Sequence, residues 1–454
     1  MKKFLSVIFA LSITLNCIWV ITSVAEQGGI FNFGSSSQKA DASSSFSEIK
    51  QKLNTIDSVI NEYYLYDSEI DQDSMIEGIY EGYVDGLDED YTVYYTAEEY
   101  DDLLESNSGE YSGIGVSISQ DVDTGVITVL NSFENGPAYA AGIREDDILY
   151  AVEGEEVTGV DINQVSAEIK GEEGTYVNLT IYRPSTDEYI DLEVERQIVQ
   201  NPTVSYELLE DNIGYIEITE FDEVTVEQFD EAVDDLLDQG AESLIFDVRD
   251  NPGGLLTAVC DVLDRILPEG ELIVYTMDKN EDTVEYYAED EETLDLPMIV
   301  LTNENTASAA EIFTAVLQDY EYATVIGTTT YGKGIVQLII PLSDGSAMKV
   351  TQSEYYTPNG VCIQGEGITP DILIEEEEET EVEEDATEEE ETDVQLEEAL
   401  EEMQDLMLED QSSSLEDQSS IQEEQSNTQE DQSSTQEDQS NTQEEQSSTQ
   451  EAVA

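Results

Sequence analysis

Residues 243–267 read SLIFDVRDNPGGLLTAVCDVLDRIL. SLIFDV is a short apolar run without alternation, the pattern of a strand buried on both faces. Asn251-Pro252-Gly253-Gly254 breaks it with a turn. LLTAVCDVLDRIL then resumes with helical spacing. The same alternation continues on both sides. GYIEITEF (214–221) reads as a strand, and EQFDEAVDDLLDQG (227–240) as an amphipathic helix with a glycine stop. ELIVYTM and PMIVLTN are strands, ASAAEIFTAVLQDY (307–320) is a third helix, and ATVIGT and GIVQLIIPL are further strands. Strand and helix in turn predict an α/β domain with a largely parallel core over 199–374.

Upstream, the period changes. YSGIGVSIS (111–119), VITVLNSF, DDILYAVEGEEV and YVNLTIYRP read as short strands. PAYAAGI and the stretch near Ile162–Ile169 read as helices. This is a mostly β module over 108–198, of a size suited to an inserted domain. Residues 46–107 show helical spacing and are expected to form a small helical unit. Residues 26–45 are a Gly/Ser-rich linker.

At the N-terminus, Met1-Lys2-Lys3 precedes an apolar run from Phe4 to Ala25. The run is long enough to span a bilayer, and the lysines would hold the terminus in the cytoplasm. Residues 1–25 are read as an uncleaved membrane anchor, which places the rest outside the cytoplasm. Cleavage after Ser23-Val24-Ala25, giving a secreted protein, is the alternative. At the other end, 375–454 is an acidic low-complexity tail. A short helical pattern spans Val394 to Leu408, and seven-residue repeats of the type EDQSSTQ run from Glu416 to Gln450. The repeats lack an apolar seam and are expected to be disordered.

Composition removes whole classes of chemistry. The chain of 454 residues has 108 acidic and 14 basic side chains, a formal net charge of −94. Such a chain repels phosphate backbones, so nucleic-acid binding is excluded. There is no histidine. This removes the Ser-His-Asp triad, the Cys-His dyad and histidine zinc sites together. No metal or cofactor is expected. Cys260 reads as a buried free thiol, with pairing to Cys362 as the alternative, and Cys17 lies in the apolar segment.

Three segments remain that can carry a reaction. In FDVRDNPGGLL, Gly253 and Gly254 can turn backbone N–H groups into a cavity as an oxyanion hole. Alone, the segment reads as an ordinary strand–turn–helix connection. In VLTNENTASAAEIF (300–313), a strand delivers Ser308 to the first turn of a helix, where the dipole and the Ala309 N–H favour negative charge. Alone, Ser308-Ala309-Ala310-Glu311 reads as a capping box. In TYGKGIVQL, Lys333 lies between two glycines, and alone reads as a solvated lysine. Together they are more specific. A histidine-free hydrolase can use a lysine whose pKa is lowered by burial as the base for a serine. Gln337, four residues on, would share a strand face with Lys333 and hold its amine. Tyr331 and Asn303 are weaker candidates for the same shell.

FDVRDNPGGLL, NTASAAEIF and YGKGIVQ, in this order, resemble the signature blocks of the C-terminal processing peptidases, also called tail-specific proteases. Lys333 follows Ser308 by 25 positions, and Gln337 follows Lys333 by four, in agreement with that family's Ser-Lys arrangement. The resemblance implies a crotonase-like (ClpP/crotonase-type) protease core with an inserted PDZ domain. YSGIGVSIS would be the carboxylate-binding loop, with Gly113, Ile114, Gly115 and Val116 capturing a substrate's free C-terminus. It also implies protein or peptide substrates, an acyl-enzyme formed on Ser308, and a homodimer through the N-terminal helices. Ala310, Glu304-Asn305 and Asp250 depart from the usual pattern and bear on the rim of the site. Two other readings stand beside this one: a catalytically silent PDZ-type peptide-binding scaffold, and an acyl-CoA enzyme on the same core, which export disfavours.

Overall fold

The structure is a computed structural model that describes residues 39–122, 124–133, 135–290, 293–375 and 393–408. The expected anchor, most of the linker and the seven-residue repeats lie outside these residues. Among the described residues no helix is long and apolar enough to cross a membrane.

The chain divides after Gly78 into two compact units. The first carries helix α1 (Lys39–Tyr63) and the start of α2 (Gln72–Asp85). Phe46, Ile49, Ile56 and Val59 of α1 are exposed.

The second unit holds everything from Ile79 on. Its first strand, β1 (Val93–Tyr95), lies inside the region expected to be helical. It pairs antiparallel with a distant strand through Val93↔Lys349 and Tyr95↔Ala347. Three residues are too few to show a period of two, so the strand carries no local signal. Helix α3 (Ala97–Ser108) follows, started by a capping box between Thr96 and Glu99 and ended by Gly109 at φ 67°.

Strand β2 (Glu110–Gly113) leads into the inserted module. The module contains β3 (Val116–Gln120), β4 (Ile127–Ser132), helix α4 (Pro137–Ala141), β5 (Ile148–Val152), β6 (Glu155–Glu156), helix α5 (Ile162–Ile169), β7 (Tyr176–Arg183) and β8 (Glu188–Glu195). Its sheet runs β3-β4-β5-β7-β8, with β6 on β5. Alternate residues Val177, Leu179 and Ile181 face a core shared with Ile127, Val129, Val152 and Val165. The chain leaves through β9 (Gln197–Gln200), which pairs with β2 from Glu110↔Gln200 to Gly113↔Gln197. Entry and exit are therefore side by side, the geometry of an insertion.

The main sheet has the order β10-β11-β12-β15-β16-β19. Its strands are β10 (Val204–Leu208), β11 (Ile213–Ile218), β12 (Ser243–Asp247), β15 (Met298–Thr302), β16 (Ala323–Gly327) and β19 (Ile372–Leu373). All neighbours except β10 and β11 are parallel. Every residue of β12 and β15 is buried, as their unbroken apolar runs require. Helices α6 (Glu223–Gln239), α7 (Leu256–Asp264) and α8 (Ala309–Asp319) cover one face through Phe229, Leu236, Leu263 and Phe313.

The other face is closed by a helix over 394–408, designated α9. Ala399 and Met403 are fully buried against Ile213, Ile245, Ile299, Leu301 and Ile326. This corrects the expected boundary at 374. The core needs a cover for its second face, and residues from the acidic tail supply it. Arg249, at the end of β12, binds Asp247 and also Asp393, just before α9.

A second sheet holds β13 (Leu272–Asp278), β14 (Thr283–Tyr287), β17 (Ile335–Pro341) and β18 (Ala347–Tyr356), with β1 on β18. ELIVYTM and GIVQLIIPL thus belong to an antiparallel sheet and not to the parallel core. The turn over 343–346, with Gly345 at φ 98°, folds β17 back on β18.

Candidate active site

Strand β15 ends at Thr302, and the five residues that follow are fastened before Ser308 is reached. Asn303 N–H donates to Thr306 Oγ1 at 3.0 Å, and Thr306 Oγ1 donates to Val248 O at 2.8 Å. Ala307 N–H donates to Asn251 O at 2.9 Å. Asp250 Oδ1 accepts from Asn303 Nδ2 at 3.0 Å and from Asn305 Nδ2 at 2.7 Å. Asp250, one of the departures from the family pattern, therefore ties this loop to the turn after β12. Asn303 serves the same tie, and among the described residues no hydrogen bond joins it to Lys333. Tyr331 is 61% exposed, and its side chain is hydrogen-bonded to that of Tyr91.

Ser308 adopts φ 55° and ψ −115°, a conformation that costs a non-glycine residue about 1–3 kcal/mol. Its neighbours hold it there. Gly253, at φ 107°, packs against it so closely that a Cβ on Gly253 would lie 2.7 Å from Ser308 Cβ and 2.9 Å from Ala309 N. Gly254, at φ 138°, lies against Phe221, where a Cβ would meet the Phe221 O at 2.3 Å. The Gly253 N–H already donates to Asn251 Oδ1 at 2.8 Å. Of the candidate oxyanion donors, Gly254 and Ala309 are the two that line the cavity with Ser308.

That cavity is ≈ 240 Å³ and brings Ser308, Ala309, Gly254, Lys333 and Gln337 together. Leu103, Leu255, Ile312, Ile335, Val336 and Ile339 make its remaining wall largely apolar. Lys333 reaches it because glycines flank it. A Cβ on Gly332 would lie 2.9 Å from Gly367 N, and one on Gly334 would lie 2.6 Å from Gln364 N. Burial holds the Lys333 amine below its ordinary pKa, Lys349 pushes it the same way, and Glu311 opposes both. Its Nζ lies 4.8 Å from the centre of the Tyr91 ring. Gln337 follows a register shift in β17, and its Nε2 donates to Ile335 O at 3.4 Å. Among the described residues no hydrogen bond joins it to Lys333.

Two residues that the sequence reading gave no role at the site organise it. Glu311 is fully buried in the first turn of α8. Its Oε2 accepts the N–H groups of Ser308 and Lys333, both at 2.8 Å. Its Oε1 accepts Gly332 N–H at 2.7 Å and Thr330 Oγ1 at 2.5 Å. One carboxylate thus fastens the serine and lysine segments to each other. The capping-box pattern was the available signal, but it pointed only to Ser308. Tyr355 gave no signal. Its hydroxyl donates to Lys333 O at 2.6 Å and lies 3.0 Å from Ser308 O.

The loop Gly113–Val116 borders a second, larger cavity of ≈ 590 Å³ between α5, β3 and α3. Gly113, Ile114 and Val116 line it. The N–H groups of Val116 and Gly115 face the Tyr111 hydroxyl. Lys170, after α5, forms an ion pair with Glu105 of α3 across this groove. Helix α3 is a common wall, since Leu103 and Asn107 line the cavity with Ser308. Cys260 and Cys362 are both free thiols, and burial raises Cys260 to about 12.

Comparison with known proteins agrees with this arrangement. Residues 212–374 match the model of peptidase family S41, and 129–183 match a PDZ domain. The carboxy-terminal processing protease CtpA of Bacillus subtilis strain 168 is 33% identical over 377 residues, covering 83% of this chain and 78% of that protein. A carboxy-terminal-processing protease of Bartonella bacilliformis is 35% identical over 311 residues, covering 67% and 71%. The chain is therefore a member of peptidase family S41, a serine peptidase of the carboxy-terminal processing protease group with a PDZ domain.

Proposed function

We propose that this chain is an extracytoplasmic endopeptidase that works through a Ser308–Lys333 dyad on a crotonase-like core. The neutral Lys333 amine takes the Ser308 hydroxyl proton as Oγ attacks the scissile carbonyl carbon. The tetrahedral oxyanion accepts hydrogen bonds from the Gly254 N–H, in the turn before α7, and from the Ala309 N–H at the start of α8. The Lys333 ammonium then protonates the departing amine, leaving an ester on Ser308. Water, deprotonated by Lys333 in its turn, hydrolyses that ester and restores the enzyme. Gln337 orients the lysine amine once substrate fills the cavity.

Residues Gly113–Val116 hold the substrate's C-terminal carboxylate while the peptide adds as a strand beside β3. Residues 1–25 tether the protein to the membrane, with the protease outside, and the chain pairs as a homodimer. One observation carries the catalytic reading. The serine and the lysine share one small cavity, and a single buried carboxylate binds the backbone of both.

The test is cleavage of casein by the purified chain. Ser308→Ala and Lys333→Ala are each expected to abolish cleavage while thermal unfolding stays cooperative. Lys333→Arg should fail as well, because arginine does not release its proton. Near-full activity in any of the three refutes the dyad.

A further inference from the structure

The cavity that contains Ser308 holds a second ammonium. Lys349 lines it together with Lys333. It sits within β18, opposite Ile339 of β17 and Val93 of β1, so paired strands flank it on both sides. Acidic residues outnumber basic ones by 108 to 14 in this chain, so a lysine has abundant carboxylates to pair with. Yet among the described residues the ion pairs involve Lys170, Arg183, Arg249 and Arg265, and neither Lys333 nor Lys349. Each of these two lies instead over a tyrosine ring, Lys333 at 4.8 Å from Tyr91 and Lys349 at 5.4 Å from Tyr95.

A cation beside a half-buried amine disfavours that amine's charged form, so Lys349 adds to burial in making Lys333 release its proton more readily. We propose that Lys349 is a positioning residue of the catalytic centre, whose charge keeps Lys333 in the neutral amine form that can accept the Ser308 proton. This inference rests on the Ser308–Lys333 reading above. The other groups facing Lys333 do not supply the effect. Glu311, from α8, acts in the opposite direction. Tyr91 precedes β1 and Tyr355 lies on β18, and burial raises both phenols, so they stay neutral. The Tyr91 face favours the ammonium, and the Lys349 charge adds to burial in opposing it.

The experiment measures kcat/KM for casein against pH, using the full chain. Lysine must be neutral to act as base, so the rate rises with pH through the Lys333 pKa. Lys349→Met removes the neighbouring charge and should move this acid limb up by about one pH unit. The rate then falls about tenfold below the limb and returns to the wild-type plateau above it. Lys349→Arg keeps a permanent cation and should keep the wild-type limb. Lys349→Gln gives the same reading if the methionine variant does not fold. An unmoved limb in the neutral variants overturns the proposal, whether or not the plateau falls. So does an arginine variant that follows the methionine one, since shape rather than charge would then matter. Cleavage by Ser308→Ala, run beside them, would instead sink the underlying dyad and the proposal with it.

Discussion

Replacing Glu311 with glutamine tests how the serine and lysine segments are joined. The change keeps the size of the side chain and swaps one acceptor oxygen for a donor group. Two donors reach each carboxylate oxygen: Ser308 N–H and Lys333 N–H at Oε2, Gly332 N–H and Thr330 Oγ1 at Oε1. If the amide nitrogen replaces Oε2, two buried N–H groups lose their acceptor. If it replaces Oε1, the Thr330 hydroxyl can rotate to accept, and Gly332 N–H alone is stranded. A buried donor left unsatisfied costs about 1–3 kcal/mol, and the charged character of the remaining bonds is also lost. The variant should therefore be about 2–4 kcal/mol less stable. Urea unfolding would show a lower midpoint at an unchanged slope. The charge has a separate signature. Glu311 raises the Lys333 pKa, so its neutralisation should move the acid limb of kcat/KM to lower pH. A variant with the wild-type midpoint and an unmoved limb would refute the account of Glu311 as the fastening between the two segments.

Gly253→Ala places a methyl group 2.7 Å from Ser308 Cβ on a backbone at φ 107°, so cleavage should fall by at least about a hundredfold, as when a reacting group is misplaced by an ångström. Casein turnover against a wild-type control measures it. Met403→Ala opens a cavity between α9 and the main sheet and should cost about 2–5 kcal/mol, read as a lower urea midpoint. Asp222, buried at the start of α6, has its pKa raised to about 7 by burial and by the charge of Glu220. A carboxyl with a raised folded pKa loses stability as pH rises from its unfolded value through its folded one. Asp222→Asn, which can still cap the helix, should thus gain on the order of 2 kcal/mol relative to wild type between about pH 4 and pH 7. Unfolding midpoints at pH 5 and pH 8 check this, and equal differences at both would argue against it.

The functional centre was legible to different depths. Ser308 and Lys333 stood out because each belongs to a short segment with its own local logic: a strand running into a helix start, and a lysine between two glycines. Gly253 was read as an oxyanion donor because a Pro-Gly-Gly turn offers N–H groups. Which of them is free depends on Asn251, whose side chain engages Gly253. Gln337 was placed on the Lys333 face by a period of two, and the register shift between Val336 and Gln337 interrupts that period. Asn303, a weaker candidate for the lysine's shell, has its side chain bonded instead to Asp250, a residue from another loop.

The sequence alone determined the elements and the chemistry open to them. Unbroken apolar runs made buried parallel strands, helical spacing made the covering helices, and the lack of histidine left lysine as the candidate base for a serine. These are short-range properties, carried by neighbours within a few positions. Tertiary structure decided what no window of residues contains. It brought α9 from beyond the acidic run to cover Ile245, Ile299 and Leu301, set β1 beside β18, and gathered Glu311, Tyr355 and Lys349 around Ser308 and Lys333. The physical reason is that side chains from separate elements meet only when the apolar faces of those elements pack. The electrostatic setting of Lys333 arises from that packing and not from the order of residues around it.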